Sequence, residues 1–488
     1  MGRKAKQSQS EIDGVQYRRA KTWQIILVAC NAFVGMSVYS LIGMASYSAS
    51  VGYGITTAAV GVILTCTRIL DGITDPLVAF LYDKVDTKFG KLRVLLISGF
   101  VIEAFALWAM FDFMSSKGFG WAVFTLLYVV YVIGYTITNM TAQTFSAIMT
   151  NDPKQRPVIG VWGTAFNYLV PMVLSIVLNM VLLPRYGGEY NQGFLSAAVM
   201  VTIVVGTLGV ILVSIGISAF DRPEYYGGVG KQEPLKIKDI ISVLKGNKPL
   251  QCYIAAQASD KIAQQTASQA VINTMLCGIL IGNMGLGTML SVIGMAPSII
   301  FAVIGARYAG KYGSKNAIVT WTKICMAVAV LMFLFFVVIE PSSIAAMGVT
   351  MIVYVVFTLA LNGSKMCVTT AASSFMADII DYELDRSGKY VPAVVTGTGS
   401  LIDKLISSFS AMIATGAVAL IGYKQTVPQP GDTATAAIFW MTMAIYFGMP
   451  MLGWLVTLIA MKYCTLDKEE MVKVQKRIAE KKAMAEGK

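Results

Sequence analysis

The sequence predicts an all-α polytopic membrane protein with twelve transmembrane helices arranged as two six-helix bundles. Three observations predict this fold. Of the 488 residues, 56% are hydrophobic and only 14% are charged, whereas soluble domains contain about 25% charged residues. Apolar runs long enough to cross a bilayer, about 20 residues each, recur along the chain. The longest polar interruption lies near the middle and is rich in Gly, Pro and Lys, which is typical of a cytosolic linker.

The apolar runs divide the chain into five regions and twelve spans. The regions are an N-terminal segment (1–21), a first bundle (22–219), a central loop (220–249), a second bundle (250–463) and a tail (464–488). The spans are predicted at 22–46, 57–82, 93–114, 121–149, 157–183, 193–219, 250–278, 286–308, 317–338, 343–375, 391–422 and 434–463. A faint internal repeat, typical of transporters built from two halves, relates Gly90-Lys91 after span 2 to Gly310-Lys311 after span 8.

The distribution of basic residues predicts the orientation of the chain. Of the 39 Lys and Arg residues, 32 lie in the termini and the even-numbered loops, and only Lys117, Arg185 and Lys424 lie in the opposite loops. The positive-inside rule therefore places both termini in the cytosol, in a multi-pass protein of the cell membrane. In the tail, Asp467 to Glu470 resembles a capping box and predicts a solvated or membrane-surface helix. The net charge of +12 is spread over loops, so it does not indicate nucleic-acid binding.

The composition also restricts the chemistry. The chain has no histidine, which excludes His-based metal sites and Ser-His or Cys-His nucleophile pairs. Its seven cysteines show no metal-binding or disulfide spacing, and no phosphate-binding glycine loop is present. We therefore expect neither an enzyme nor a cofactor, and any ion coupling falls to carboxylates, Lys, Arg and Tyr.

Nine ionisable residues lie at the predicted mid-membrane parts of the spans, where such groups are costly and usually face a cavity or a partner. They are Arg68, Asp71, Asp75, Glu103, Asp260, Lys261, Lys365, Asp403 and Lys404. The spacing of Arg68, Asp71 and Asp75 puts all three on one helix face. Two carboxylates on one face can bind Na⁺ together with nearby hydroxyls, or hold a proton. Interhelical ion pairing is the alternative, and the roles of Glu103, Lys365 and Asp403 stay open.

Three stretches carry a family resemblance. The first is Arg68 to Pro76 (RILDGITDP), followed by Asp83 and Gly90-Lys91-Leu92-Arg93; the second is Met376 to Tyr382 (MADIIDY), followed by Lys404. A weaker third stretch is Tyr135 to Asn139 (YTITN), followed by Arg156. Together they resemble the glycoside–pentoside–hexuronide:cation symporters, the melibiose-permease branch of the major facilitator superfamily.

The resemblance implies a major facilitator fold and the symport of a sugar, glycoside or sugar acid with Na⁺ or H⁺ by alternating access. It implies a cation site at Asp71, Thr74, Asp75 and Thr136, with Arg68 and Lys404 as counter-ions. It also implies a cytosolic gate of charge pairs formed by Asp83, Arg156, Arg307, Asp378 and Asp381. Sodium-using relatives often carry Asn where this chain has Thr74, so the choice between Na⁺ and H⁺ stays open.

The substrate residues of melibiose permease are not kept. Ala32, Asn139 and Thr164 stand where that family member has two carboxylates and a guanidinium, so its galactoside specificity is not implied. Residues that can bond or stack on a sugar are Asn31, Tyr135, Asn139, Gln143, Trp162, Gln257, Asp260 and Lys261. For Trp162, helix packing is an equal alternative. The lost acids and the added Lys261 favour an anionic glycoside such as a uronide. We expect a monomer in the lipid bilayer; the alternative cargo is a lysolipid or another amphiphile.

Overall fold

The computed structural model describes residues 18–84, 87, 89–150, 155–222, 244–295, 298–346, 348–387 and 392–486. Within these ranges the structure does not describe the side chains of residues 71–84, 147, 156–157, 291–292, 294–295, 298–299, 392–394, 396–397, 400–401, 403, 479 and 481–486. All regular secondary structure in the described ranges is helical.

The helices reproduce the predicted order of spans. Those of the first half are α1 (Thr22–Ala29), α2 (Asn31–Ile42), α3 (Thr57–Lys84), α4 (Lys91–Trp108), α5 (Gly120–Met149), α6 (Arg156–Ser175) and α7 (Gln192–Ile217). Those of the second half are α8 (Lys248–Ala267), α9 (Met284–Met295), α10 (Ser298–Tyr312), α11 (Ser314–Val338), α12 (Val349–Ser387), α13 (Pro392–Ser407), α14 (Ser410–Leu420), α15 (Ala436–Met443), α16 (Met449–Tyr463) and α17 (Lys468–Glu486). The fold is the twelve-span helical fold that the sequence predicts.

Eight helices in the described ranges are long and apolar enough to cross a membrane by themselves. Helix α8 is less apolar, because it carries Asp260, Lys261 and several glutamines. Two shorter apolar helices, Thr57–Leu70 and Lys404–Leu420, lie in predicted spans 2 and 11.

The chain folds into two compact units. The first unit comprises Met1–Tyr53, Ile73–Leu178 and Asn191–Gln232, and the second comprises Gly54–Gly72, Asn179–Tyr190 and Glu233–Lys488. The start of α3 belongs to the second unit because it packs on α14. Gly61 leaves no room for a side chain, since a Cβ there would lie 2.9 Å from the Cα of Met412. The predicted domain boundaries at 219 and 250 stay predictions.

The backbone shows an internal repeat. Gly90 precedes α4 with φ 95° and ψ 151°, and Gly313 precedes α11 with φ 90° and ψ 149°. Both angles lie in a region that L side chains rarely adopt. The equivalent of Gly90 is therefore Gly313, and the sequence match to Gly310 was wrong by three residues.

A buried carboxylate explains the motif that begins at Gly90. Asp221 accepts hydrogen bonds from the backbone N–H groups of Leu92 (2.9 Å) and Arg93 (3.0 Å). The Nε of Arg93 lies 3.1 Å from the same carboxylate, whose side chain is fully buried. A Cβ at Gly90 would collide with Asp221. Because Gly90 has no side chain, the carboxylate of Asp221 can come close enough to cap α4 and pair with Arg93.

The C-terminal tail is a docked helix. Glu470 N–H donates to Asp467 Oδ1 (2.9 Å), so the predicted cap is confirmed. One face of α17 lies in the core of the second unit, where Val474 is fully buried beside Ile379 of α12. Arg477 Nε donates to Asp385 Oδ2 at 2.7 Å. The tail is therefore not the freely solvated helix that its lysine-rich sequence indicated.

Candidate substrate and cation sites

A cavity of about 330 Å³ lies in the first unit among α1, α2, α5 and α6. Four predicted sugar residues line it together: Asn31, Tyr135, Asn139 and Gln143. The last three are spaced i, i+4 and i+8 on α5, so the helix presents them on one face. Small-molecule sites are concave and carry a few convergent polar groups, and this cavity has that character.

The cavity offers hydrogen-bonding groups without charge. Every described residue that lines it is uncharged. The Oδ1 atom of Asn31 is buried and has no hydrogen-bond partner among the described residues. Buried polar atoms are nearly always hydrogen-bonded in folded proteins, so this oxygen is an exception, and its burial keeps it from facing the cavity. Ala32 also lines the cavity.

Sequence reasoning missed further polar lining residues, namely Tyr39, Thr138, Ser146 and Asn167. Two of them continue the face of α5 that starts at Tyr135, at spacings of three and eleven residues, so helical periodicity contained the signal. Trp162 belongs elsewhere: its ring lies 6.4 Å from that of Phe166, and it packs against the core of the first unit.

A second cavity of about 220 Å³ lies in the second unit. Tyr253, Gln257 and Lys261 line it at spacings of four residues along α8, opposite Met376 and Gly399. Two of the three predicted residues of this half, Gln257 and Lys261, thus share one site. Lys261 is the one charged residue among those that line the described parts of this cavity.

Asp260 points to a different face of α8. Its Oδ2 atom accepts a hydrogen bond from Gln264 Nε2 at 2.7 Å. Its Oδ1 atom is buried and has no hydrogen-bond partner among the described residues. Lys365 of α12 and Trp454 of α16 face the same carboxylate. Asp260 therefore belongs to a polar cluster between helices.

The predicted cation site lies only partly within the described residues. Helix α3 runs unbroken through Asp71, Thr74 and Asp75, but these three side chains lie outside the described residues. Thr136 is described: it is 1% exposed and directly follows Tyr135, which lines the first cavity.

The two predicted counter-ions differ in exposure: Arg68 is partly buried, whereas Lys404 is exposed. In the described parts of the chain, no group of three or more His, Cys, Asp or Glu residues is arranged to hold a metal ion.

Three of the predicted gate residues are described. Asp381 Oδ2 accepts a hydrogen bond from Gln475 Nε2 of α17 at 2.7 Å. Asp378 lines a cavity of about 450 Å³ between α12 and the start of α17, and Arg307 is exposed on α10. The side chains of Asp83 and Arg156 lie outside the described residues. The contact from Gln475 was not predicted, because nothing in the sequence connects the tail with α12.

The twelve-span helical fold with polar cavities between its helices defines a membrane transporter. The family described as MFS/sugar transport protein matches residues 25–468, and the chain belongs to this family. The resemblance to glycoside and hexuronide cation symporters is thereby confirmed.

Relatives and solved structures agree with this class. The chain is 23% identical over 354 residues, 71% of each chain, to the putative glycoside/cation symporter YagG of Escherichia coli. It is 23% identical over 201 residues, 40% of this chain and 42% of the relative, to the glucuronide carrier protein homolog of the same organism. The fold is similar to that of the nucleoside transporter NupG, with a TM-score of 0.57, 14% identity and coverage of 91% of this chain and all of the other.

Proposed function

We propose that the protein is a secondary active symporter that imports a glycoside, with a sugar acid such as a uronide favoured, together with Na⁺ or H⁺. The observation that carries the proposal is the polar cavity of the first unit, whose described lining residues are uncharged and include Asn31, Asn139 and Gln143. Its volume of about 330 Å³ lies in the range of small-molecule sites. The names of the relatives that include glycosides and glucuronides support the same cargo class.

Sugar recognition follows from the chemistry of the cavity wall. Hydroxyls of a sugar both donate and accept, and amide side chains such as Asn139 and Gln143 do the same. The aromatic ring of Tyr135 supplies an apolar face for the C–H side of a pyranose. We exclude Trp162 and Asp260 from this set, since the first packs in the core and the second faces other helices.

The sign of the charge favours an acidic sugar. Among the described residues that line the two cavities, Lys261 is the one charged side chain. A carboxylate paired with an ammonium forms a charge-assisted hydrogen bond, which is stronger than a neutral one. A uronide carries one carboxylate on an otherwise neutral ring, and Lys261 is the side chain of the second cavity that can bind such a carboxylate.

Coupling is assigned to α3. Asp71 and Asp75 supply the carboxylates, Thr74 and Thr136 supply hydroxyl oxygens, and a cation bound there is released when the site changes side. Helix α5 connects the two functions, because Thr136 is buried next to Tyr135 of the sugar cavity. Arg68 and Lys404 neutralise the carboxylates when the cation leaves.

Gating is assigned to charges at the predicted cytosolic end. Asp378 and Asp381 of α12, with Asp83, pair with Arg156 and Arg307 in one state and separate in the other. Gln475 of α17 holds Asp381 in the structure described here. Both termini lie in the cytosol, as the distribution of basic residues indicates.

The test is accumulation of a radiolabelled phenyl glucuronide in membrane vesicles under an imposed Na⁺ or pH gradient. Asp71→Asn and Asp75→Asn should each abolish accumulation against the gradient. The matched control Asp112→Asn removes an acid whose side chain accepts a hydrogen bond from Trp108 Nε1 and should accumulate like the parent protein. Full accumulation by either α3 variant would refute the assigned coupling site. Inhibition by lysolipids and not by glycosides would replace the proposed cargo.

A further inference from the structure

The polar cluster around Asp260 has a chemistry that the sugar and cation sites do not use. It connects three helices of the second unit: Asp260 and Gln264 on α8, Lys365 on α12 and Trp454 on α16. The Oδ2 atom of Asp260 accepts from Gln264 Nε2, while its buried Oδ1 atom has no hydrogen-bond partner among the described residues. Burying a carboxylate oxygen without a partner costs free energy. We therefore expect Oδ1 to carry a proton or to bind a water.

Lys365 is close enough to act on Asp260 but does not bond it. The two side chains attract each other electrostatically, yet no salt bridge within 4 Å joins them among the described ion pairs. Instead, the ammonium lies 5.8 Å from the centre of the Trp454 ring. Trp454 is 1% exposed, and a cation over a buried indole is stabilised by the electrons of the ring.

This arrangement tolerates two protonation states. When Asp260 is ionised, Lys365 compensates its charge. When Asp260 is protonated, the ring of Trp454 still stabilises the ammonium, so the lysine is not left without compensation. The amide of Gln264 can donate to the carboxylate or to the carbonyl oxygen of the acid. A buried ion pair in direct contact lacks this second stabiliser and is usually fixed in one state.

We propose that Asp260 is a proton-binding site of the second unit, with Lys365 as its counter-ion. The proton forms an O–H bond at Oδ1, Lys365 keeps its own proton, and the net charge of the cluster changes from zero to plus one. The site lies on a different helix from the carboxylates of α3. It does not depend on the identity of the cargo, and in this respect it goes beyond the proposed function.

Few other charged groups act on Asp260. Lys261, its neighbour on α8, contributes a weaker positive field, and Trp454 is the facing group on α16. Cys325 of α11 faces Lys365. Among the described side chains of α13 and α14, none places a charge that acts on Asp260. Among the charged groups, Lys365 is therefore the main one that acts on Asp260.

The test is infrared spectroscopy of the purified full-length protein in lipid nanodiscs, titrated with pH in the absence of substrate. We expect a band of a protonated carboxyl that appears as the pH falls and is lost in Asp260→Asn. In Lys365→Met the band should appear at higher pH, because removal of the cation favours the neutral acid. Glu103→Gln, which alters a buried carboxyl of the first unit, is the matched control and should leave the titrating band in place.

Two results would overturn the proposal: a pH-difference spectrum of Asp260→Asn in the carboxyl region that is the same as that of the parent protein, or a midpoint of the Asp260 band that does not move in Lys365→Met. If Asp260→Asn fails to fold, the shift in Lys365→Met decides alone. Since no substrate is present, these results are independent of the uptake experiments, and either inference can fail while the other holds.

Discussion

Glu103 of the first unit and Asp260 of the second lie between helices and make no direct ion pair among the described residues, and the two differ in their surroundings. Glu103 of the first unit is 1% exposed, its Oε2 atom lies 3.4 Å from Thr138 Oγ1, and no ion pair involving it is found among the described residues. Asp260 of the second unit faces Lys365. A carboxyl without a cation has to stay neutral in an apolar interior, whereas one with a cation at intermediate distance can exchange a proton.

The hydrogen bonds of Thr138 support this contrast. Its hydroxyl has a single proton, and Tyr135 O lies 2.9 Å away in the position of an acceptor. The contact from Thr138 Oγ1 to Glu103 Oε2, at 3.4 Å, is therefore the weaker of the two. Burial alone therefore does not allow a carboxyl group to change its protonation state. A nearby charge that partly compensates it does.

The largest effect is expected at Asp221, a third buried acid, which has a cation in direct contact. Asp221→Ala removes the cap of α4 and leaves Arg93 without its partner. We expect a loss of about 3–5 kcal/mol in the free energy of unfolding, the usual cost of breaking a buried pair. Denaturant titration in detergent micelles measures it.

Asp467 is the matched control for Asp221, since it also follows the last helix of its half and caps a helix. Because this cap is exposed, Asp467→Ala should cost only about 1 kcal/mol. Equal losses in the two variants would contradict the assignment of Asp221 to the class of paired, buried acids.

The next largest effect concerns the charge of the two cavities. Lys261→Gln removes the cation of the second cavity and should raise the KM for a uronide about 10- to 100-fold, which corresponds to about 1.5–3 kcal/mol for a charged hydrogen bond. The KM for the corresponding neutral glycoside should change little. Lys424→Gln, in a loop, is the control. Parallel changes for both substrates would show that Lys261 does not recognise a carboxylate.

A smaller effect is expected when an acid is placed in the neutral cavity. Asn139→Asp adds a negative charge beside the bound sugar and should lower the uptake of a uronide about tenfold relative to a neutral glycoside, through repulsion of about 1–1.5 kcal/mol at an effective dielectric constant near the protein surface. Competition between the two labelled substrates measures the ratio. If the ratio of the two uptake rates does not change, this cavity does not bind the acidic group of the cargo.

The smallest effect is expected at Glu103. Glu103→Gln replaces a neutral acid with a neutral amide of similar shape, so stability should change by less than about 0.5 kcal/mol and the pH profile of uptake should stay the same. Thermal unfolding and uptake across a pH series provide the readouts. A shifted pH profile would show that Glu103 exchanges a proton as Asp260 does. It would contradict the proposed difference between the two carboxyl groups.

The sequence predicted the order and type of the helices because spans of about 20 apolar residues are a local property of the chain. It also proposed Tyr135, Asn139 and Gln143 as sugar-binding residues, and their helical spacing, which is local too, places them on one face. It could not predict that Asp221 caps α4, because 128 residues separate Asp221 from Arg93. For the same reason Gln475 and Asp381, which are 94 residues apart, were not connected.

The orientation of the Asp260 side chain is another feature that the sequence could not predict. Span 7 presents Gln257, Asp260 and Lys261 within one helical turn, and the sequence gives no local signal for which of them faces a cavity. That depends on where α12 and α16 pack on α8, which only tertiary structure determines. Lys261 and Asp260, adjacent in the chain, consequently serve different sites.

The most direct test of cation-coupled glycoside transport is the steady-state accumulation of a labelled uronide in vesicles that contain the protein, with a Na⁺ gradient, a pH gradient or neither imposed. We predict accumulation well above the external concentration with at least one gradient, and simple equilibration when both gradients are collapsed. Equilibration alone under every condition, or no uptake of any glycoside, would contradict the proposed symport.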